Sequence, residues 1–160
     1  MIPFRQLVWA VPAVYALHVI DQAAGGFADW FSGSVGGSMD STAFALATVG
    51  VVAVALGLTA WASLTLATPL VILLVIWSSA HLFWDPLFHL GITVAQHRYS
   101  PGLATAGLLC FPLSLWLGVA AVRQRVLSLR ALLTANLAGA VLMLVLLEVG
   151  RRLPQLGASF

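Results

Sequence analysis

Histidines and carboxylates at helical spacing are the residues of this sequence with chemistry to offer. His18 and Asp21 lie three apart, and His81, Asp85 and His89 step by four. Side chains three or four apart on a helix are neighbours on one face. Each set therefore presents a stripe of ionisable groups, and such stripes suit two kinds of chemistry. Three or four of them can hold a divalent metal and leave a position for water, as zinc prefers. A pair of irons would want more carboxylates from a sequence poor in glutamate. Without a metal, a carboxylic acid and a histidine can pass protons to and from a bound molecule. The candidate metal ligands are His18, His81, Asp85 and His89. The candidate catalytic residues are His18, Asp21, Asp85 and Glu148. No His-Glu-x-x-His motif is present. Zinc, iron and a metal-free site all stay open.

The elements that must position these residues are membrane helices. Of the 160 residues, 61% are hydrophobic and 8% charged, too few charges to cover a soluble domain. Apolar stretches long enough to cross a bilayer recur along the chain. Five spans can be drawn, at about residues 3–24, 41–62, 69–96, 103–122 and 131–150. The expected fold is all-α, a single domain over residues 1–160 built as an integral membrane bundle. Arg5 before an apolar run ending at Ala23-Ala24-Gly25 has the outline of a leader peptide. The run is long enough to span and carries His18, Asp21 and Gln22, so it reads as the first span. Pro12 and Pro86 should bend their helices, a feature membrane helices tolerate. Residues 25–39, with Phe27, Trp30 and Phe31, read as an interfacial loop whose aromatics sit at headgroup level. Asp40 is placed to cap the second span, and Tyr99-Ser100-Pro101-Gly102 marks a turn. The tail, residues 153–160, reads as loose.

Alternation of the spans puts all four histidines and all five acidic residues toward one side of the membrane. A polar side chain at membrane depth is costly unless it is paired or faces an internal cavity. The polar ends of spans one, three and five should therefore meet in one pocket. Several polar residues have plainer roles. His97 beside Arg98 reads as interfacial, Asn136 as a helix-to-helix hydrogen bonder, and Cys110 as a small buried apolar group. Glu148 can either pair with an arginine or line the pocket. Trp30, Trp77 and Trp84 can anchor at the interface or line a site for a lipid-like molecule. The seven arginines are scattered and form no basic groove, which excludes nucleic acid as a partner. Arg5, Arg123, Arg125 and Arg130 flank one side and Arg98, Arg151 and Arg152 the other, so the positive-inside rule leans toward a cytoplasmic N-terminus.

The stretch His18-Val-Ile-Asp21-Gln22, followed by Gly26, Phe27 and Trp30, resembles the HXXEE-domain family of small bacterial membrane proteins. A second likeness lies around His89, Thr93 and Tyr99-Ser100-Pro101-Gly102. The resemblance runs from the first span through the fourth. It implies a multi-pass protein of a bacterial cytoplasmic membrane with a histidine–acid constellation, and it names no substrate. Asp21 stands for the first Glu of the family motif and Gln22 for the second, which removes one charge. Asp85 or Glu148 would have to supply a second carboxylate if the site needs one.

Three functions fit these residues. One is a small membrane enzyme acting on an apolar or isoprenoid-like substrate by isomerisation, cyclisation or hydration. Another is a protein that binds a metal or an amphiphilic ligand without turnover. The third is a structural subunit of a membrane complex. A channel is disfavoured, because one side of the bundle lacks the polar lining a continuous path needs. Membrane lipid is the one partner that composition implies directly, and the sequence sets no oligomeric state.

Overall fold

Every regular element is a helix in the computed structural model, which describes residues 2–152. The tail at residues 153–160 lies outside the described residues. Among the described residues five helices are long and apolar enough to cross a membrane: Phe4–Ala24, Ser41–Thr65, Thr68–Gln96, Leu103–Arg123 and Leu129–Arg152. At 1.5 Å per residue even 21 residues reach about 31 Å, the thickness of a hydrocarbon core. The third span is central. Within its most apolar stretch 56% of residues are buried, against 17% for the fifth.

Prolines shape the spans in a definite way. A proline has no N–H to give the carbonyl four residues back and clashes with it. In the first span the helix is interrupted at Val8–Trp9, where Val8 is the residue four before Pro12. In the third span the backbone widens to a π-helical turn over Ala80–Trp84, directly before Asp85-Pro86. The fourth span repeats the device, with a π-turn over Ala106–Cys110 before Phe111-Pro112. Pro86 thus produces a widened turn inside a helix that continues to Gln96. Such π-turns collect at functional sites.

The segment after the first span differs from the expected loop. It contains a helix, Phe27–Ser34, and its aromatics face inward. Phe27, Trp30 and Phe31 are all buried, packed with Met39 and Phe44 of the chain leading into and along the second span. Their spacing of i, i+3 and i+4 puts them on one helical face, which here covers the bundle. Asp40 caps the second span through its Oδ1, which accepts from the Ala43 N–H at 2.8 Å. Span five lies along span three where Gly139 faces Ser79. A Cβ on Gly139 would come within 2.7 Å of the Ser79 side chain, so only glycine permits this approach. Asn136 donates to Ser79 Oγ at 2.8 Å, and its backbone carbonyl accepts from Trp84 Nε1 at 2.9 Å, joining the same two helices. Cys110 is buried in the main apolar core.

Candidate functional site

The centre of the polar cluster is a triad. His18 of the first span and Asp85 and His89 of the third bring one ligand atom each within 4.8 Å of one another. His18 Nε2 lies 2.9 Å from Asp85 Oδ2, and His89 Nε2 lies 3.5 Å from the same oxygen. Both imidazoles are fully buried and the Asp85 side chain nearly so. A tetrahedral zinc with bonds of about 2.0–2.1 Å separates its ligand atoms by roughly 3.3 Å. The two contacts to Asp85 bracket that figure, and the three ligand atoms all lie within 4.8 Å of one another, an arrangement that suits a divalent cation.

The hydrogen bonds around the triad orient both rings. Thr105 Oγ1 donates to Asp21 Oδ2 at 2.8 Å, because a carboxylate only accepts and a hydroxyl has one proton to give. His18 Nδ1, 2.9 Å from the same hydroxyl oxygen, is then the donor of that contact. The ring nitrogen that faces Asp85 is Nε2, 2.9 Å from Oδ2. His89 follows the same plan. The Gln22 side-chain amide donates to His89 Nε2 at 3.1 Å, which leaves the ring proton on Nδ1, facing Ser100 Oγ at 2.6 Å. Metal-binding histidines are commonly held this way, with the far nitrogen donating to an oxygen that fixes tautomer and ring direction. The 2.9 Å contact between His18 Nε2 and the Asp85 carboxylate is short enough for a direct hydrogen bond, and the same pair of atoms can also face a cation.

The turn between spans three and four builds much of this outer layer. Thr93 Oγ1 accepts from the Ser100 N–H at 3.1 Å, and Tyr99 Oη accepts from the Ala104 N–H at 3.3 Å. Gly102 has φ +92°, and a Cβ there would fall 2.7 Å from Gln22 Cγ and 2.8 Å from His18 Cε1. The turn therefore closes directly over both side chains. Ring packing completes the enclosure of His89, with Trp30 stacked at 6.3 Å and Phe27 tilted at 5.7 Å.

Asp21 is one hydroxyl away from the triad rather than part of it. His81 is buried beside Tyr15 and Trp77, with ring centroids 4.8 and 4.4 Å away. It is not among the three residues whose ligand atoms converge. The π-turn at Ala80–Trp84 changes the angular step between His81 and Asp85, so their spacing of four does not bring them together as it does Asp85 and His89. Glu148 stays at the exposed end of span five, where its carboxylate accepts from Arg151 at 3.2 Å and Arg152 at 2.7 Å. Span five consequently brings no ionisable group to the triad, and span four, which carries Thr105, takes its place. Trp84 bonds across helices, while Trp30 and Trp77 pack on the site histidines. Sequence reading missed Ser100, Thr105 and Gln22 as supports, although the first two sit in or just past the Tyr-Ser-Pro-Gly turn.

Beside the triad lies a cavity of about 150 Å³ between the first, second, third and fifth spans. Tyr15, His81 and Asp85 stand at its polar end. Phe31, Phe44, Met143 and Leu146 belong to its apolar wall.

Residues 9–117, more than half of the chain, match the family described as "Protein of unknown function with HXXEE motif", and the chain belongs to that family. No curated protein and no solved structure matches. His18, Asp21 and Gln22 lie within the matched residues, and the structure gives each a distinct place: His18 in the triad, Asp21 bonded to the Thr105 hydroxyl beside it, and Gln22 in contact with His89.

Proposed function

We propose that this member of the HXXEE family is a small metal-dependent membrane enzyme whose His18, Asp85 and His89 hold one divalent cation. The observation that carries the reading is the approach of two imidazole nitrogens to one carboxylate oxygen, with both far nitrogens in contact with hydroxyls. The Gln22 amide, 3.1 Å from His89 Nε2, would turn aside for that nitrogen to ligate. Two neutral imidazoles and one carboxylate leave the bound cation with net positive charge and with open positions. Zinc in such a three-ligand site activates water or polarises a substrate oxygen. Iron is the other metal that two histidines and one carboxylate suit. Asp21 acts through Thr105 to hold His18, and Ser100 holds His89. The adjoining cavity supports an apolar substrate that enters from lipid and presents its reacting end to the cluster. Hydration, isomerisation or cyclisation of an isoprenoid-like molecule fits these surroundings. The bacterial cytoplasmic membrane, with a cytoplasmic N-terminus, is the location that family membership and arginine placement support.

The 2.9 Å contact between His18 and Asp85 specifically favours a second reading. It is short enough for a direct hydrogen bond, and a proton shared there would make a metal-free acid–base pair. Elemental analysis of protein purified in detergent separates the two. The metal reading expects one equivalent of a divalent metal, lost in Asp85→Ala and in the nearly isosteric Asp85→Asn. Folded, carefully prepared protein that neither contains nor takes up a stoichiometric metal would sink it.

A further inference from the structure

His81 is more than nine-tenths buried, yet its Nε2 has no hydrogen-bond partner among the described residues. Its side chain lines the cavity next to Asp85, with Nε2 itself just behind the wall and closed to the cavity. A buried polar nitrogen without a partner is costly, and a structure keeps one mainly where a ligand or an ordered water completes it. Tyr15, Gln22 and Thr48 add polar atoms, and most of the remaining wall is apolar and polarizable. Phe31 and Phe44 offer ring faces and Met143 a thioether, all of which pack well against unsaturated carbon. The space is open on one side, so its volume of about 150 Å³ bounds only the part of a ligand held inside, roughly six carbon atoms by comparison with a closed cavity that takes benzene.

We propose that this cavity binds an unsaturated alcohol, with a hydrocarbon segment of about six carbons against the aromatic and methionine wall and its hydroxyl at His81, whose ring turns to bring Nε2 to the cavity beside Asp85. A hydroxyl both donates and accepts, so it satisfies Nε2 in either tautomer of the ring. That dual capacity distinguishes an alcohol from a ketone or an ether, which only accept. The proposal rests on the reading of the cavity as the substrate site. It adds what that site selects and assigns His81 to binding instead of metal ligation.

The test is photolabelling of detergent-purified protein with a diazirine-bearing hexenol, followed by peptide mapping. Unlabelled hex-2-en-1-ol and hex-2-ene serve as competitors, and metal content is measured on the same samples. Label should fall on cavity residues such as Phe44 and Met143. Met143→Trp, or Val51→Trp if the first variant does not fold, should fill the space and cut labelling at least about tenfold. The alcohol should compete about threefold to tenfold better than the hydrocarbon, the worth of one hydrogen bond. His81→Phe should remove that advantage while leaving hex-2-ene competition and metal content unchanged. Label spread over outward-facing residues such as Leu137 and Leu144, indifferent to the filling variants, overturns the proposal. So does an alcohol advantage that survives in His81→Phe. Metal retained without cavity labelling refutes this inference alone, whereas cavity labelling without metal refutes the metal centre alone.

Discussion

Thr105→Val is the sharpest probe of how the triad is held. Valine nearly matches threonine in shape but cannot hydrogen-bond through its side chain. The change removes the 2.8 Å bond to Asp21 Oδ2 and the acceptor that lies 2.9 Å from His18 Nδ1. Only the longer contact from the Thr105 backbone N–H, 3.4 Å from Asp21, would remain. His18 would lose the oxygen that fixes its tautomer, and its Nε2 would no longer be set toward Asp85. Loss of such an outer-shell partner typically weakens metal binding about 10- to 100-fold. That corresponds to about 1.4–2.7 kcal/mol at the ligand, and metal-induced stabilisation of the folded protein should fall by the same amount at saturating metal. The assay is competition for zinc against a chromophoric chelator, with thermal melting of the metal-free and metal-bound forms. Thr134→Val is the control, since that hydroxyl bonds only to carbonyls of its own helix. Affinity unchanged in a folded Thr105→Val protein would refute the claim that the hydroxyl network orients His18.

Gly102→Ala should lower the melting temperature and metal content together. Its φ of +92° strains any side chain, and the new Cβ would press on Gln22 and His18, so a loss of about 1–3 kcal/mol is expected from chemical denaturation. Gln22→Glu restores the acid of the family motif against His89, and equilibrium binding should show tighter metal retention. The same variant without metal should melt earlier than the parent, because it buries a carboxylate where a neutral amide stood. Glu148→Gln should leave metal content and melting temperature unchanged in side-by-side measurement, since its partners are exposed arginines on the same helix. A loss of metal in that variant would mean that Glu148 reaches the site in the working protein. Acidification should release metal in a pH titration followed by elemental analysis, because protons and the cation compete for the same imidazole lone pairs.

The spans were legible because lipid imposes a simple rule. Each crossing needs about 20 consecutive apolar residues, and no other arrangement of this composition satisfies the backbone. Asp40 as a cap and Asn136 as a bridge between helices followed from position and residue type. The inward turn of Phe27, Trp30 and Phe31 was not read from the sequence, because a glycine- and serine-rich context masked the helix that gives their spacing its meaning.

The sequence by itself determined that five helices cross a membrane and that histidines and acids gather on one side of it. It also placed His18, Asp85 and His89 among the residues of interest, because helical spacing is a local property. Tertiary structure alone decided which of these groups meet. Asp85 and His89 remain one helical turn apart, while the π-turn before Pro86 alters where His81 stands relative to them. Thr105 and Ser100 became supports because the turn after span three folds back over His18 and Gln22, a closeness that Gly102 permits. Glu148 shares the polar side of the membrane but finds its partners among arginines at the exposed end of its own helix. Periodicity reports the face and depth of a residue within one helix. Distances between helices depend on packing, on proline-widened turns and on a single glycine's φ, and those are settled only when the whole bundle is assembled.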